Sequence, residues 1–232
     1  MLNFSRIEAI LFDVGQTFLY PDFPFLKALL AEYGVTTDLE TLNKGAATAR
    51  EKIFRHRETE RWQEFFTFWM KFAGAPDNKI PEILSRIFAR HQREHLWNWL
   101  DPAAPEVFAQ LKKLGYRLGV ISNSDGSIAG SMKKFGLTHF FDCIIDSHVA
   151  GVEKPDPRIF TLALQQIGLP AEKCVYLGDN YDRDVIGARN AGLTPILLDP
   201  FEVVAEQEVF RVRELIELIE VFENHRTREN KR

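Results

Sequence analysis

The chain has 232 residues, 45% of them apolar and 27% charged, with a net charge of −4 and only two cysteines. Such a length accommodates one large domain or two modest ones, and the apolar fraction suits a packed globular core. The charge offers no basic field for nucleic acid, and no apolar run approaches the roughly 18 residues of a membrane span.

Taken in chain order, Met1–Arg6 lacks the pattern of a secretion signal. Ala9, Ile10, Leu11 and Phe12 form an apolar run that ends in Asp13, followed by Val14, Gly15, Gln16 and Thr17. This reads as a buried strand with a carboxylate at its carboxyl end, where ligands bind in a parallel sheet. Asp22 is expected to cap a helix from Phe23 to Tyr33 that Gly34 stops, and Thr37 to open another through Arg50 and beyond. Trp62, Phe65, Phe66, Trp69 and Phe72 recur at helical spacing within 60–73, with Gly74 as the stop. Pro81 suits the first turn of a helix carrying Ile83, Leu84, Ile87 and Phe88.

From Pro105 the period changes. Helices over 106–114, 127–135, 157–167 and 182–191 alternate with strands over 117–122, 143–146, 174–177 and 195–198. Val212, Leu215, Ile216, Ile219 and Phe222 outline one more amphipathic helix, and the charged end His225–Arg232 reads as frayed. The alternation predicts an α/β fold, a doubly wound parallel sheet covered on both faces. Residues 1–16 and 101–232 make this core, and residues 17–100 an inserted all-helical domain. Cys143 and Cys174 sit in apolar, strand-like settings. They read as buried inert thiols, which points to a reducing, cytoplasmic compartment.

Three further segments repeat the pattern of a strand that ends in a polar loop. Leu118–Ile121 runs into Ser122, Asn123, Ser124 and Asp125. Lys154 precedes Pro155, Asp156 and Pro157. Cys174–Leu177 runs into Gly178, Asp179 and Asn180, with Asp184 beyond. Together with Asp13 they supply a carboxylate nucleophile, a hydroxyl, an ammonium and an acidic pair for a metal. Phosphoryl transfer through an aspartyl-phosphate requires these parts.

The ordered set Asp13, Ser122, Lys154 and Asp179 with Asp184 resembles the four motifs of the haloacid dehalogenase-like hydrolase superfamily. The run Gly178-Asp179-Asn180 through Asp184 to Gly187, Ala188, Ala191 and Gly192 is its most specific piece. The resemblance implies a Rossmann-like core with a helical cap that closes over the active site and selects substrates. It also implies hydrolysis of a small phosphorylated metabolite by a monomer or homodimer, while the charge and the short apolar runs argue against a nucleic acid or membrane partner. Asp13 would attack phosphorus, and Ser122, Asn123 and Lys154 would bind the phosphoryl group. Asp13, Asp179, Asp184 and the Gly15 carbonyl would hold Mg²⁺, an ion that takes octahedral oxygen ligands.

One departure matters. Phosphatases of this family usually carry Asp two residues after the nucleophile, where this chain has Gly15. The general acid is therefore missing from its usual place. Dehalogenation, phosphonate cleavage and a non-catalytic role remain open beside phosphate hydrolysis.

Other features have plainer readings. All four tryptophans, Trp62, Trp69, Trp97 and Trp99, fall in the helical insertion and are expected to form its core rather than a substrate wall. Arg50, Lys52, Arg55, Arg57 and Arg61, interleaved with glutamates, read as a solvated helix face. His91-Gln92-Arg93-Glu94-His95 matches a helical zinc pattern but lacks a third ligand. Structural alternatives for the motif residues are Ser122 as a helix cap, Lys154 as a surface ion pair and Asp184 as a dipole partner in a first helical turn.

Overall fold

β1 (Ala9–Phe12) carries four consecutive buried apolar residues, the pattern of a strand covered on both faces. The chain then leaves through β2 (Leu19–Pro21), α1 (Phe23–Ala31), α2 (Leu39–Phe54), α3 (Trp62–Phe72), α4 (Ile80–Arg93) and β3 (Trp97–Leu100), which pairs with β2. It continues as α5 (Ala104–Lys113), β4 (Arg117–Ser122), α6 (Ile128–Lys134), β5 (Cys143–Asp146), α7 (Ser147–Ala150) and α8 (Pro157–Ile167). The last elements are β6 (Cys174–Gly178), a π-helical turn (Tyr181–Ile186), α9 (Gly187–Asn190), β7 (Thr194–Leu198), β8 (Phe210–Val212) and α10 (Glu217–Glu229). The structure, a computed structural model, describes residues 6–55, 61–206 and 208–229, the last five of these by backbone alone. The N-terminal signal reading (residues 1–5) and Arg57 of the basic face lie outside the described residues.

Two compact units result. One comprises Met1–Phe18, Leu100–Pro200 and Ala205–Arg232, and the other Leu19–Trp99 with Phe201–Val204. The first unit holds a six-stranded sheet in the order β5-β4-β1-β6-β7-β8, with every pairing parallel. β1 lies between β4 and β6, so the chain winds outward from it in both directions. Its carboxyl end is the topological switch point, where such sheets place their ligands.

Alternate residues of β1 serve opposite faces. Ala9 and Leu11 join Ile121, Cys143, Tyr176 and the α8 residues Ile159, Phe160, Ala163 and Ile167 in one core. Phe12 meets Phe108 of α5 edge-on at 5.3 Å, while Tyr116 meets Phe222 of α10 at 5.1 Å. The sheet is the doubly wound one that the alternation predicts.

The helical unit is built around Trp69, which is fully buried and donates its indole N–H to the Leu42 carbonyl at 2.8 Å. Phe65, Phe66, Leu26 and Ile83 complete the interior, and Trp97 and Trp99 pack against it half-buried. Trp62 keeps 37% of its surface exposed while touching Phe54 and Phe65 with its ring. Among the described residues, no helix is long and apolar enough to cross a membrane.

Several expectations are corrected here. Asp38, not Thr37, caps α2 by accepting the Thr41 N–H at 2.7 Å, while the Thr37 hydroxyl is buried. Arg50 is buried rather than on a solvated face, whereas Lys52 is exposed as expected, its ammonium 5.0 Å from the Phe68 ring centre. α4 ends at Arg93 and Glu94 is extended, so His95 does not follow His91 along a helix. His91 instead accepts the Leu96 N–H at Nδ1, at 3.2 Å. Val212 belongs to β8 rather than to the last helix. That helix runs on to Glu229, so the backbone of residues 225–229 is helical where fraying is expected, and residues 230–232 lie outside the described ones.

Both cysteines are free and buried, and burial pushes the thiol of Cys143 up to about 11 and that of Cys174 up to about 12. Because the thiolate is the reactive species, neither is expected to react with a disulfide reagent at pH 8 in the folded protein. Both should react once urea unfolds it. Rapid labelling of the native chain would contradict this packing.

Candidate active site

Register brings the site together. Phe12 is paired with Val120 on one side and with Leu177 on the other, so β1, β4 and β6 end side by side. Asp13 follows β1, Ser122 closes β4, and Asp179 follows β6. Lys154 comes from the loop before α8, and Asp184 from the π-helical turn. Such turns are frequent at functional sites.

The Lys154 ammonium is the hub. Its Nζ donates to Asp13 Oδ1 at 2.6 Å, to Asp184 Oδ1 at 2.7 Å and to the Tyr176 hydroxyl at 2.8 Å. An ammonium has three N–H bonds, and all three are used. Each of these side chains is buried, so Lys154 is no surface ion pair. Asp184 Oδ2 also accepts the Asn180 N–H at 2.8 Å, and the Thr17 hydroxyl reaches Asp13 Oδ2 at 3.4 Å.

Burial pushes the Asp13 carboxyl above its usual range; the Lys154 charge offsets part of this and the Asp184 charge adds to it. For Lys154, burial alone would lower the pKa, but Asp13 and Asp184 more than offset it and the net direction is upward. Burial raises the Tyr176 phenol well above its usual value, with Asp184 and Asp13 acting the same way. At neutral pH the centre therefore holds an ammonium and a neutral phenol.

Ser122 caps no helix, since it is buried at the end of β4 and α6 starts only at Ile128. The Asn123 amide is committed to main chain. Its Oδ1 accepts the Lys154 N–H at 2.8 Å and its Nδ2 donates to the Lys154 carbonyl at 2.9 Å. Asp146, buried at the end of β5, orders the loop beyond Ser122 by accepting the N–H groups of Gly126, Ile128 and His148. Gly15 lies in the turn after β1, where the positive φ of 60° falls on Gln16 rather than on the glycine.

Asp13, Asp179 and Asp184 are all buried, and one oxygen from each lies within 4.8 Å of the others. Hard carboxylate oxygens gathered this closely suit a hard divalent cation such as Mg²⁺. Asp13 and Asp184 already repel one another across a shared ammonium. The residues present fit such an ion.

A hydrolase family model, haloacid dehalogenase-like hydrolase, matches residues 7–192. The chain belongs to that family.

Curated relatives of this haloacid dehalogenase-like hydrolase include a glyceraldehyde 3-phosphate phosphatase of Methanopyrus kandleri, 26% identical over 92% of this chain and 97% of the relative. Another is a phosphoserine phosphatase of Thermus thermophilus, 31% identical over 75% of this chain and 64% of the relative. Among solved structures, a phosphatase of the same family from Thermococcus onnurineus superposes with a TM-score of 0.59 at 23% identity, covering 93% of this chain and 97% of the other. That likeness bears on the fold alone. The named relatives are phosphatases, and the chain is a hydrolase of their family.

Sequence reasoning assigned no role to Thr17, Tyr176 or Asp146. Thr17 stands in the short polar turn that follows Asp13, which is a usable signal. Tyr176 in an apolar strand carries none.

Gly178 is required by close approach. A Cβ there would collide with the Asp184 carboxylate and lie 2.6 Å from Asp184 Cβ. Overpacking typically costs about 1–3 kcal/mol, so Gly178→Ala is expected to lose that much in urea unfolding. Gly130, inside α6 with nothing within 4 Å of a Cβ, is the control. Gly130→Ala should gain about 0.5–1 kcal/mol from helix propensity. Equal effects at the two positions would refute the close-approach account.

Proposed function

We propose that the chain is a Mg²⁺-dependent hydrolase of small phosphate monoesters that works through a phosphoryl group carried on Asp13. The observation that supports this most is the buried cluster of Asp13, Asp184 and Lys154, joined by Asp179, at the switch point of the sheet. Halide displacement at carbon calls for no such gathering of carboxylates. The helical unit, inserted between β1 and α5, serves as the family's cap.

Asp13 attacks phosphorus in line. The bond from its oxygen to phosphorus forms as the ester P–O bond breaks, and water then attacks phosphorus, releasing phosphate and restoring the carboxylate. Two anions must approach for this, and at an effective dielectric near 20 their repulsion is several kcal/mol. Bound by Asp13, Asp179, Asp184 and the Gly15 carbonyl, Mg²⁺ would supply the positive charge that offsets it. Lys154 and Ser122 hold the phosphoryl oxygens. All three N–H bonds of Lys154 have protein partners, and one of them turning to the phosphoryl group would make that contact.

Gly15 cannot protonate the leaving group, a contribution worth roughly 10²–10⁴-fold elsewhere. The enzyme is therefore best suited to leaving groups that need little protonation.

Two experiments test this. Hydrolysis of an aryl phosphate should require Mg²⁺ and fall to background in Asp13→Asn. Turnover in EDTA, or full activity without the Asp13 carboxylate, would sink the mechanism. Separately, Gly15→Asp should raise rates on alkyl phosphates at least about tenfold while aryl phosphates change little. Gly15→Ala reports any strain in the turn. Activity lost in both variants would show that the backbone requires glycine and that the leaving-group account is wrong.

A further inference from the structure

Tyr176 lies within β6, opposite Leu11 of β1, and is fully buried. Its ring packs edge-on against Phe160 at 5.0 Å, so the body of the side chain belongs to the core. Its hydroxyl does not. That oxygen donates to the Ile121 carbonyl at 2.9 Å and receives the Lys154 N–H at 2.8 Å. A carbonyl only accepts, so with the phenolic hydrogen on Ile121 a lone pair faces Lys154, and the Asp184 carboxylate lies beside the same hydroxyl. The direction of the hydroxyl is thus fixed by β4, one residue before Ser122.

The other two partners of Lys154, Asp13 and Asp184, belong to the set proposed to hold the cation. Both carboxylates have a second task once metal and substrate are present. Tyr176 has none, being neutral and tied to main chain. We infer that Tyr176 is the positioning residue for Lys154, pinning one N–H of the ammonium so that the other two sweep between the carboxylates and a phosphoryl oxygen. This rests on the reading of Lys154 as a phosphoryl ligand. It adds that the reach of the lysine is set from β6, and that the same hydroxyl ties Lys154 to the strand end that carries Ser122.

The test is a double-mutant cycle. Tyr176→Phe, Lys154→Met and the double variant are compared with the unmodified protein by the affinity of beryllium fluoride in the presence of Mg²⁺. The kcat/KM on an aryl phosphate is measured for the unmodified protein and Tyr176→Phe. A hydrogen bond to a charged group supports an effect of roughly tenfold. Tyr176→Phe should therefore lower both quantities by about that factor, with its Mg²⁺ affinity unchanged. In the Lys154→Met background the same substitution should change nothing, because there is no ammonium left to position.

Unchanged binding and turnover in a folded Tyr176→Phe would overturn the inference. So would an equal loss with and without Lys154, or failure of Tyr176→Phe to fold, since each marks a purely structural hydroxyl. The underlying phosphatase reading fails differently. In that case the unmodified protein itself neither binds the fluoride mimic nor turns over the aryl phosphate.

Discussion

Everything in the site is arranged around one buried ammonium. Lys154 is drawn toward Asp13, Asp184 and Tyr176, side chains supplied by the end of β1, the π-helical turn and β6. Taking these charges out of water carries a penalty that pairing repays only when geometry is good and the remaining donors and acceptors are satisfied. Here they are: the second Asp184 oxygen takes the Asn180 N–H, and the tyrosine hydrogen goes to Ile121. Removing one charged member of such a set leaves a buried charge without its counterpart, a loss of roughly 3–5 kcal/mol in comparable cases. The cluster is thus a constraint on the fold as much as a chemical device.

Sheet topology makes the cluster possible. Placing β1 between β4 and β6 sets three strand ends side by side, and parallel pairing sends all their loops the same way. The main chain is then tuned around the side chains. The Asn123 amide clamps the backbone of Lys154, Asp146 gathers the loop beyond Ser122, and Gly178 leaves room for the Asp184 carboxylate. These contacts fix geometry without touching the groups proposed to react.

Much of this was legible in the sequence, for physical reasons. A strand buried on both faces is a continuous apolar run, which is why Arg117–Ser122 and Cys143–Asp146 fall where the pattern puts them. Helix α8 announces itself through Asp156 as the cap, Pro157 in the first turn and Gly168 beyond the end. The strands β2, β3 and β8 were not legible, because Leu19–Pro21 ends in a proline, Trp97–Leu100 is half-buried throughout and Phe210–Val212 is broken by an arginine, so none offers the apolar run that marks β1. The segment read as one helix over 182–191 contains the π-helical turn, a distortion that no residue pattern signals. The site divides in the same way. Spacing of charged residues marks Asp13, Lys154, Asp179 and Asp184, while Tyr176 looks like any other core aromatic until its hydroxyl is located. Asn123, expected to meet substrate, shows its amide turned to main chain only once Lys154 is placed beside it.

The central claim is that the phosphoryl group passes through Asp13. It is tested most directly by quenching turnover of an aryl phosphate in acid within a single cycle and determining the mass of the peptide that carries Asp13. The account predicts a peptide heavier by one phosphoryl group, labile to hydroxylamine and absent from Asp13→Asn. Steady turnover with that peptide unmodified at every quench time, or the phosphoryl group on another residue, would contradict it.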